Sequence, residues 1–338
     1  MASLLITGAA GFIGSHLCEY LFHKKHEVVA VDDLSGGFLE NVPEGANFVK
    51  VDVSSKEEVQ NLFKKYGPFD YVYHLAAYAA EGLSHFIRHF NYVNNVLGSI
   101  NLINESVKNE VKSFVFTSSI AVYGTNQTPM MESMTPAPED PYGIAKYAVE
   151  LDLKAAKEMF GLDYVIFRPH NVYGEKQNIS DRYRNVIGIF MNQVSRGEPM
   201  TIFGDGAQSR AFSYIADIIP ALAEAPFMPE AGGKVFNIGA DIPYSVNELA
   251  QTVASALGVP PQIHYLPERQ EVKHAFCDHS LARSVFALPE PTSLQEGIQR
   301  MAEWVKKTGA RQPVGFDSVE VDKNFPAGWR HYLTSPEK

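Results

Sequence analysis

Residues 3–14 decide the fold, and they read Ser3-Leu-Leu-Ile-Thr-Gly-Ala-Ala-Gly-Phe-Ile-Gly14. An apolar run typical of a buried strand leads into three glycines, and a helical pattern follows directly. In such a unit the first glycine permits a tight turn, the second lets the backbone approach a pyrophosphate, and the third lets the helix pack close to the sheet. The free N–H groups and positive dipole end of the helix suit phosphate. The stretch therefore predicts a dinucleotide-binding turn formed by Gly8, Gly11, Phe12, Ile13 and Gly14.

The second predicted strand, EVVAVDDL, carries an acidic residue at the position expected for ribose recognition. Asp32 lies 18 residues after Gly14, close to the roughly 20 that are typical of a ribose-binding acid. A carboxylate there accepts hydrogen bonds from both adenosine ribose hydroxyls and repels a 2′-phosphate. No arginine closely follows Asp32 or Asp33, so the sequence favours NAD over NADP as cofactor.

The rest of the first half alternates short runs rich in Val, Ile, Tyr and Phe with helical patterns. Continuous apolar runs between helices indicate strands buried on both faces, as in a parallel sheet wound on both sides. From about residue 175, loops lengthen and Pro and Gly become frequent. We therefore predict an α/β fold with a Rossmann-type doubly wound parallel sheet and a smaller C-terminal α/β substrate lobe. The expected divisions are an NAD-binding domain over residues 1–174, a lobe mainly over 175–311 with some segments returning to the sheet, and an extension over 312–338.

Composition limits the classes of partner. The chain has 338 residues, of which 45% are apolar and 20% charged, as in ordinary globular proteins. A net charge of −10 disfavours nucleic acid and anionic membranes. No signal-peptide pattern and no apolar window of roughly 18 residues is present, so we expect a cytoplasmic protein without nucleic-acid or membrane partners. Cys18 and Cys277 are expected to be reduced thiols, and because no Cys/His spacing resembles a zinc site, no metal is predicted.

The string Tyr142-Gly-Ile-Ala-Lys146 opens a predicted helix, and its spacing places both side chains on one helix face. A free phenol has a pKa near 10, too high for a base at neutral pH. A nearby ammonium, with a nicotinamide cation, favours the phenolate, so Tyr142 can take a proton from a hydroxyl as hydride leaves the carbon. Ser119, which ends the preceding strand, is placed to bond the same oxygen. YxxxK strings also occur by chance, so the pair alone does not settle the chemistry.

The glycine turn, strand-end serine and YxxxK string, in this order, resemble the extended short-chain dehydrogenase/reductase family of NAD-dependent epimerases and dehydratases. The strings HLAA after the fourth strand, SSIAVYG, PYGIAK and RPHNVYG also match landmarks of that family, and the resemblance covers nearly the whole chain. It departs from the family epimerases in lacking a lysine shortly after the fourth strand. The resemblance implies catalysis by Ser119, Tyr142 and Lys146. It also implies further contacts with NAD from Asp52, Val53, Leu75, Ala76, Ala77, Asn95, Tyr142, Lys146 and Pro169.

The segment after Ser119 separates members of the family. Sugar-nucleotide 4,6-dehydratases and UDP-glucuronate decarboxylases carry carboxylates there, and GDP-mannose 3,5-epimerases carry a cysteine. This chain reads Ile120-Ala-Val-Tyr-Gly124, with neither. It is similar to UDP-galactose (UDP-glucose) 4-epimerases, whose string is Ser-Ala-Thr-Val-Tyr-Gly. That similarity implies oxidation at C4 of a nucleotide sugar, turnover of a 4-keto sugar in the cleft, and return of hydride to the opposite face while NAD stays bound.

The same resemblance implies a set of substrate contacts. Asn171 and Arg210 match positions that contact the diphosphate, and Ser84 matches a position near the hexose, where Ser119 and Tyr142 also act. Arg269 matches an arginine position only with a one-residue departure. Ala275 aligns with the residue that limits bulk at C2, and its small side chain predicts that N-acetylated UDP-hexoses are accepted. Arg182 and Arg184 are open to two interpretations, as contacts for a sugar acid or phosphate or as part of a solvated loop.

Three functions remain to be weighed. A 4-epimerase agrees with the glycine turn, Asp32, the strand-end serine and the YxxxK string. A 4-ketosugar reductase would exchange its cofactor at each turnover and usually prefer NADPH, and Asp32 weighs against it. A non-catalytic NAD-binding scaffold predicts erosion of the Tyr–Lys pair, which is intact here. By resemblance we also expect a homodimer formed through the helix around residues 92–108 and the YxxxK helix, with apolar surface from Ile100, Leu102, Ile103, Tyr147 and Leu151.

Overall fold

The computed structural model describes residues 1–125, 128–268, 273–313, 316, 319–326 and 329. In chain order their strands are β1 (Ser3–Thr7), β2 (Glu27–Asp32), β3 (Asn47–Lys50), β4 (Tyr71–His74), β5 (Ser113–Thr117), β6 (Asp163–Pro169), β7 (Val172–Tyr173), β8 (Met200–Phe203), β9 (Ser209–Ala211), β10 (Ser213–Tyr214), β11 (Lys234–Ile238), β12 (Pro243–Ser245), β13 (Ile263–Leu266) and β14 (His274–Ala275). The α-helices are α1 (Phe12–His23), α2 (Lys56–Tyr66), α3 (Glu81–Ser84), α4 (Arg88–Tyr92), α5 (Gly98–Lys108), α6 (Pro141–Phe160), α7 (Val186–Ser195), α8 (Ile215–Glu224), α9 (Val246–Leu257), α10 (Ser280–Val285) and α11 (Leu294–Thr308).

Seven strands form one sheet in the order β11-β6-β5-β4-β1-β2-β3, and every neighbouring pair is parallel. The predicted Rossmann-type doubly wound sheet is confirmed. Six of the strands come from the alternating first half of the chain, while β11 comes from the Pro- and Gly-rich second half and joins the edge beside β6. This order places the carboxyl ends of β1, β4, β5 and β6 along one edge, where a doubly wound sheet holds its ligands.

The sheet is covered on both faces because its strands are apolar on both faces. Leu4 and Ile6 of β1 join one core cluster with α1, α8, α9 and α11, whereas Leu5 joins a second cluster with α2, α5 and α6. All three side chains are completely buried. The first cluster is continuous from the sheet into the second half of the chain, so the small sheets of that half rest on the same core.

Local sequence signals fix the helix ends. Ser55 caps α2 by accepting the Glu58 N–H, and Ser245 and Glu248 form a reciprocal capping box at the start of α9. The helix α6 begins after Asp140 and ends at Gly161, whose φ of 77° lies in the left-handed region, as is typical of a glycine that follows a helix. The helix expected around residues 92–108 consists of the end of α4, a π-helical turn, Val93–Leu97, and α5.

A segment that we call the C-terminal strap, the described residues 319–326 and 329, lies against α3 and α4. The Glu320 carboxylate accepts the N–H groups of His89 and Phe90 at 2.6 and 2.8 Å. Phe325 and Trp329 complete a satellite apolar cluster with Leu83 and neighbouring residues. The strap therefore forms part of the folded body. Among the described residues, no helix combines the length and the apolarity that a membrane crossing requires.

Candidate active site

A deep cleft of about 1740 Å³ opens at the carboxyl edge of the sheet. It extends from the turn after β1, past the ends of β4, β5 and β6, to the strands β9 and β14. Most of the residues predicted to bind cofactor or substrate line this cleft: Gly8, Gly11, Phe12, Ile13, Gly14, Asp32, Asp52, Val53, Leu75, Ala76, Ala77, Ser119, Tyr142, Lys146, Pro169, Asn171, Arg210 and Ala275.

The glycine turn has room for backbone only. Gly8 has a φ of 71°, and a Cβ built on it would lie 2.7 Å from the Ala76 nitrogen. A Cβ on Gly14 would lie 2.0 Å from the Gly8 oxygen. No side chain caps the N-terminus of α1, so the amide groups of its first turn face the cleft with the positive end of the helix dipole. This arrangement suits a pyrophosphate.

The carboxylate of Asp32 stands at the end of β2, on the wall of the same cleft. It accepts N–H groups from Ala10 at 3.1 Å and from Leu34 at 2.8 Å, which hold it in place. Burial raises the pKa of Asp32 because a charged carboxylate loses water there. A group held in this way can accept hydroxyl groups, as ribose recognition requires.

The helix α6 carries the predicted catalytic pair in its first two turns. Asp140 caps the helix by accepting the Gly143 N–H at 2.9 Å, and Tyr142 and Lys146 lie on one buried face. The Lys146 ammonium donates to the Thr117 carbonyl at 2.8 Å and lies 5.8 Å from the centre of the Tyr142 ring. Ser119 approaches from the end of β5, so strand and helix bring the three side chains to one place.

Burial dominates the electrostatics of this pair. It raises the pKa of Tyr142, Glu81 raises that pKa further, and a hydrogen bond with Ser119 lowers it. Burial also lowers the pKa of Lys146 to about 7. The Lys146 ammonium bonds to a backbone carbonyl, and desolvation is the largest influence on the pKa of the phenol. Ionisation of Tyr142 with the help of Lys146 and a nicotinamide cation stays a prediction.

A buried ion pair supports α6 behind the catalytic residues. Glu150, one helical turn after Lys146, pairs with Arg168 of β6 at 2.5 Å, and both side chains are almost completely buried. The Ser118 hydroxyl donates to the same carboxylate at 2.5 Å, and Arg168 donates to the Tyr123 hydroxyl at 2.7 Å. This network was not predicted, although Glu150 continues the four-residue spacing of the buried face.

Two predicted site residues lie behind the cleft wall. The Ser84 hydroxyl donates to the Glu81 carbonyl at 2.6 Å and accepts the Tyr142 N–H at 3.2 Å, so it anchors the start of α6. The amide of Asn95 bonds both the N–H and the carbonyl of Tyr78, which shapes the loop after β4. Arg269 lies outside the described residues.

Strands from the second half of the chain form the opposite side of the cleft. Arg210 of β9 is in register with Ala275 of β14, and its guanidinium donates to the carbonyls of Ser209 and Lys273. Asn171, with a φ of 42°, donates to the Ala211 carbonyl at 3.1 Å. The pairing of β9 with β14 thus brings together residues that are 65 positions apart in the sequence.

The family model for the NAD-dependent epimerase/dehydratase family matches residues 4–239. The chain belongs to the NAD-dependent epimerase/dehydratase family. NAD is therefore its cofactor, and the cleft has the features that NAD requires, namely the side-chain-free glycine turn, the uncapped helix and the buried carboxylate.

Relatives in this family cover nearly the whole chain. A putative UDP-glucose 4-epimerase of Methanocaldococcus jannaschii is 34% identical over 90% of this chain and 98% of its own. The crystal structure of a Thermotoga maritima UDP-glucose 4-epimerase with UDP-glucose is 34% identical, with a TM-score of 0.85 over 90% of this chain and 99% of that chain. A UDP-N-acetylglucosamine 4-epimerase of Methanobrevibacter ruminantium, in complex with UDP-N-acetylmuramic acid, is 31% identical, with a TM-score of 0.84 over 91% and 99%.

This member of the NAD-dependent epimerase/dehydratase family also has cleft residues that the motifs do not reveal. Arg184, left open by the sequence, lines the cleft, donates to Asp181 at 2.6 Å and lies 4.8 Å from the centre of the Tyr78 ring. Its charge lowers the pKa of Tyr142. Trp329 of the C-terminal strap also lines the cleft. Neither residue follows a strand of the sheet directly, so strand-end motifs could not place them.

Proposed function

We propose that the protein inverts the configuration at C4 of a UDP-hexose through a 4-keto intermediate. The observation that carries the proposal is the meeting of Ser119, Tyr142 and Lys146 in the cofactor cleft, with no carboxylate in the segment 120–124 that follows the serine. Elimination of water would require an acid and a base at that segment. The 4-epimerase relatives and the 4-epimerase structures with similar folds support the same reaction.

The proposed mechanism assigns each side chain a task. The Tyr142 oxygen removes the proton of the C4 hydroxyl and later returns it to the same oxygen after the sugar has turned. The Ser119 hydroxyl donates a hydrogen bond to the C4 oxygen of the sugar and restrains the phenol of Tyr142. Lys146, fixed by the Thr117 carbonyl, places its charge beside the phenol ring. When bound, NAD supplies the hydride acceptor and donor and a cationic ring that favours the phenolate.

The opposite wall is proposed to hold the nucleotide sugar. The forked guanidinium of Arg210 and the amide of Asn171 suit the two phosphates, and Arg269 is proposed as a further substrate contact by resemblance. Ala275 presents only a methyl group to the cleft, which leaves room for an N-acetyl group. The residues from 175 to 311 then act mainly as the substrate lobe and residues 1–174 as the NAD-binding domain.

We also propose that the enzyme is a cytoplasmic homodimer. The helices α5 and α6 pack against each other, and the large apolar side chains of Leu97, Ile144 and Leu151 are exposed on or beside them. Leu102 and Ile103, which were expected to add to this surface, are buried in the core of the sheet instead.

The proposal is tested by incubating the purified protein, without added cofactor, with UDP-glucose, UDP-N-acetylglucosamine and UDP-glucuronate. We expect NMR to detect inversion at C4 of at least one of them, and Tyr142→Phe to lower the rate roughly 10²–10⁴-fold. Tyr147→Phe is the matched control because Tyr147 lies on the same helix and does not line the cleft.

Ala275→Tyr should abolish turnover of the N-acetylated sugar selectively. In a parallel incubation with NADPH and a 4-keto nucleotide sugar, stoichiometric consumption of NADPH, together with no C4 inversion of the three sugars, would instead identify a ketosugar reductase.

A further inference from the structure

A buried cluster of two imidazoles and a thiol lies beside the cleft and has no task in the proposed reaction. His170 follows β6, and Cys277 and His279 lie between β14 and α10. The three side chains are no more than 3% exposed. Their potential ligand atoms all lie within 4.8 Å of one another, and the Nε2 atoms of the two histidines are 3.0 Å apart.

The hydrogen bonds of the two histidines determine which nitrogen carries the proton. Nδ1 of His170 is 3.1 Å from the Ala211 carbonyl, which can only accept, so this nitrogen must donate. Nδ1 of His279 is 2.7 Å from the Asp241 carboxylate, which is paired with Arg283 and therefore accepts as well. In the neutral imidazoles both protons are thus on Nδ1, and two lone pairs on Nε2 face each other at 3.0 Å. Because the two lone pairs repel each other, this arrangement requires a cation between the two nitrogens, either a metal ion or a shared proton.

A metal ion satisfies this arrangement better than a shared proton. In metal sites each ligating histidine donates its other ring N–H to a carboxylate or a backbone carbonyl, and both histidines do so here. Two nitrogens bound to one tetrahedral zinc ion at about 2.0–2.1 Å lie about 3.3 Å apart, close to the separation seen. A shared proton would satisfy only the two imidazoles, and it would give no task to Cys277, whose Sγ lies within 4.8 Å of a ring nitrogen of each.

We propose that His170, Cys277 and His279 bind a divalent transition-metal ion of the zinc type through two Nε2 atoms and Sγ. The thiol loses its proton on binding, and the thiolate and Asp241 balance the charge of the ion. His170 borders the cleft, which provides a route of entry. The bound ion ties the end of β6 to the segment after β14, and therefore joins the sheet to the strand that carries Ala275.

Metal content tests the proposal directly. Protein dialysed against Zn²⁺ and then against buffer should retain one ion per chain, as determined by mass spectrometry. Cys277→Ser and His279→Asn should lose it, whereas Cys18→Ser, which changes the other buried thiol, should retain it. Asp241→Asn should lower the affinity roughly 10–100-fold through the ring N–H that it accepts. A wild-type protein without bound zinc, or variants that bind as tightly as wild type, would overturn the proposal.

The wild-type protein alone gives a second measurement that does not depend on whether the variants fold. Co²⁺ in place of Zn²⁺ should produce a thiolate-to-cobalt charge-transfer band that excess Zn²⁺ abolishes. A chelator should lower Tm, and added Zn²⁺ should restore it, because the ion binds the folded state. Cobalt that binds without this band would show that Cys277 is not a ligand, and the proposed site would be wrong. None of these measurements depends on epimerase activity.

Discussion

The carboxylate of Asp32 is placed to favour binding of NAD over NADP. It is held by the N–H groups of Ala10 and Leu34 and lines the cleft. We expect Asp32→Asn to weaken NAD binding roughly 10–100-fold, because hydrogen bonds to a charged acceptor are lost, and to reduce the discrimination against NADP. Calorimetric titration with both cofactors measures this. Asp33→Asn removes the neighbouring charge, a carboxylate that accepts the N–H and the hydroxyl of Ser35 in a local turn. An equal effect of both substitutions would refute a specific ribose contact.

At the same scale, sequence motifs identify residues better than they identify the direction of a side chain. The spacing of Tyr142 and Lys146 predicts their common face, because helix geometry fixes it. Motif position could not show that Ser84 and Asn95 do not line the cleft, since their hydrogen bonds with Tyr142 and Tyr78 hold them in its supporting structure. The direction of the pKa shift of Tyr142 could not be predicted from the sequence either, because it depends on how deeply the tertiary fold buries the phenol.

At the scale of the element, α6 depends on the Glu150–Arg168 pair. Glu150→Gln leaves the Arg168 charge buried without its partner, and we expect it to lower the free energy of unfolding by about 3–5 kcal/mol. Glu158→Gln, on the exposed side of the same helix, should change it by less than about 0.5 kcal/mol. Urea denaturation of the two variants compares them. Equal stabilities would show that the pair does not hold the helix against β6.

The elements themselves were predicted where local pattern and tertiary environment agree. Strands β1, β2, β4, β5 and β6 are apolar runs, so burial on both faces is visible in the sequence. The edge strand β3 is only partly buried. The strand β11 is a five-residue run, KVFNI, within a region rich in glycine and proline. Its place beside β6 follows from a long-range pairing that no local pattern encodes. The His170–Cys277–His279 cluster was missed for the same reason, because two distant segments form it, one after β6 and one after β14.

At the scale of the whole molecule, the C-terminal strap closes one side of the cleft, and the sequence could not place it. Trp329 is 5% exposed, packs against Gly82 of α3 and makes a T-shaped contact with the Tyr183 ring, with the ring centres 5.2 Å apart. The indole therefore joins the wall next to Tyr142 to the loop that carries Arg184. A strap anchored by few side chains is expected to open locally when one of them is removed.

We therefore expect Trp329→Ala to weaken binding of the nucleotide sugar on the order of tenfold, with a smaller effect on kcat because Ser119, Tyr142 and Lys146 remain in place. Trp304→Phe is the control, since Trp304 is the other of the two tryptophans and lies on α11, which does not line the cleft. That variant also leaves Trp329 as the sole indole, so its fluorescence during a substrate titration reports on the strap directly. If binding is unchanged in Trp329→Ala, or the indole does not respond to substrate, then the strap covers the cleft without contributing to recognition.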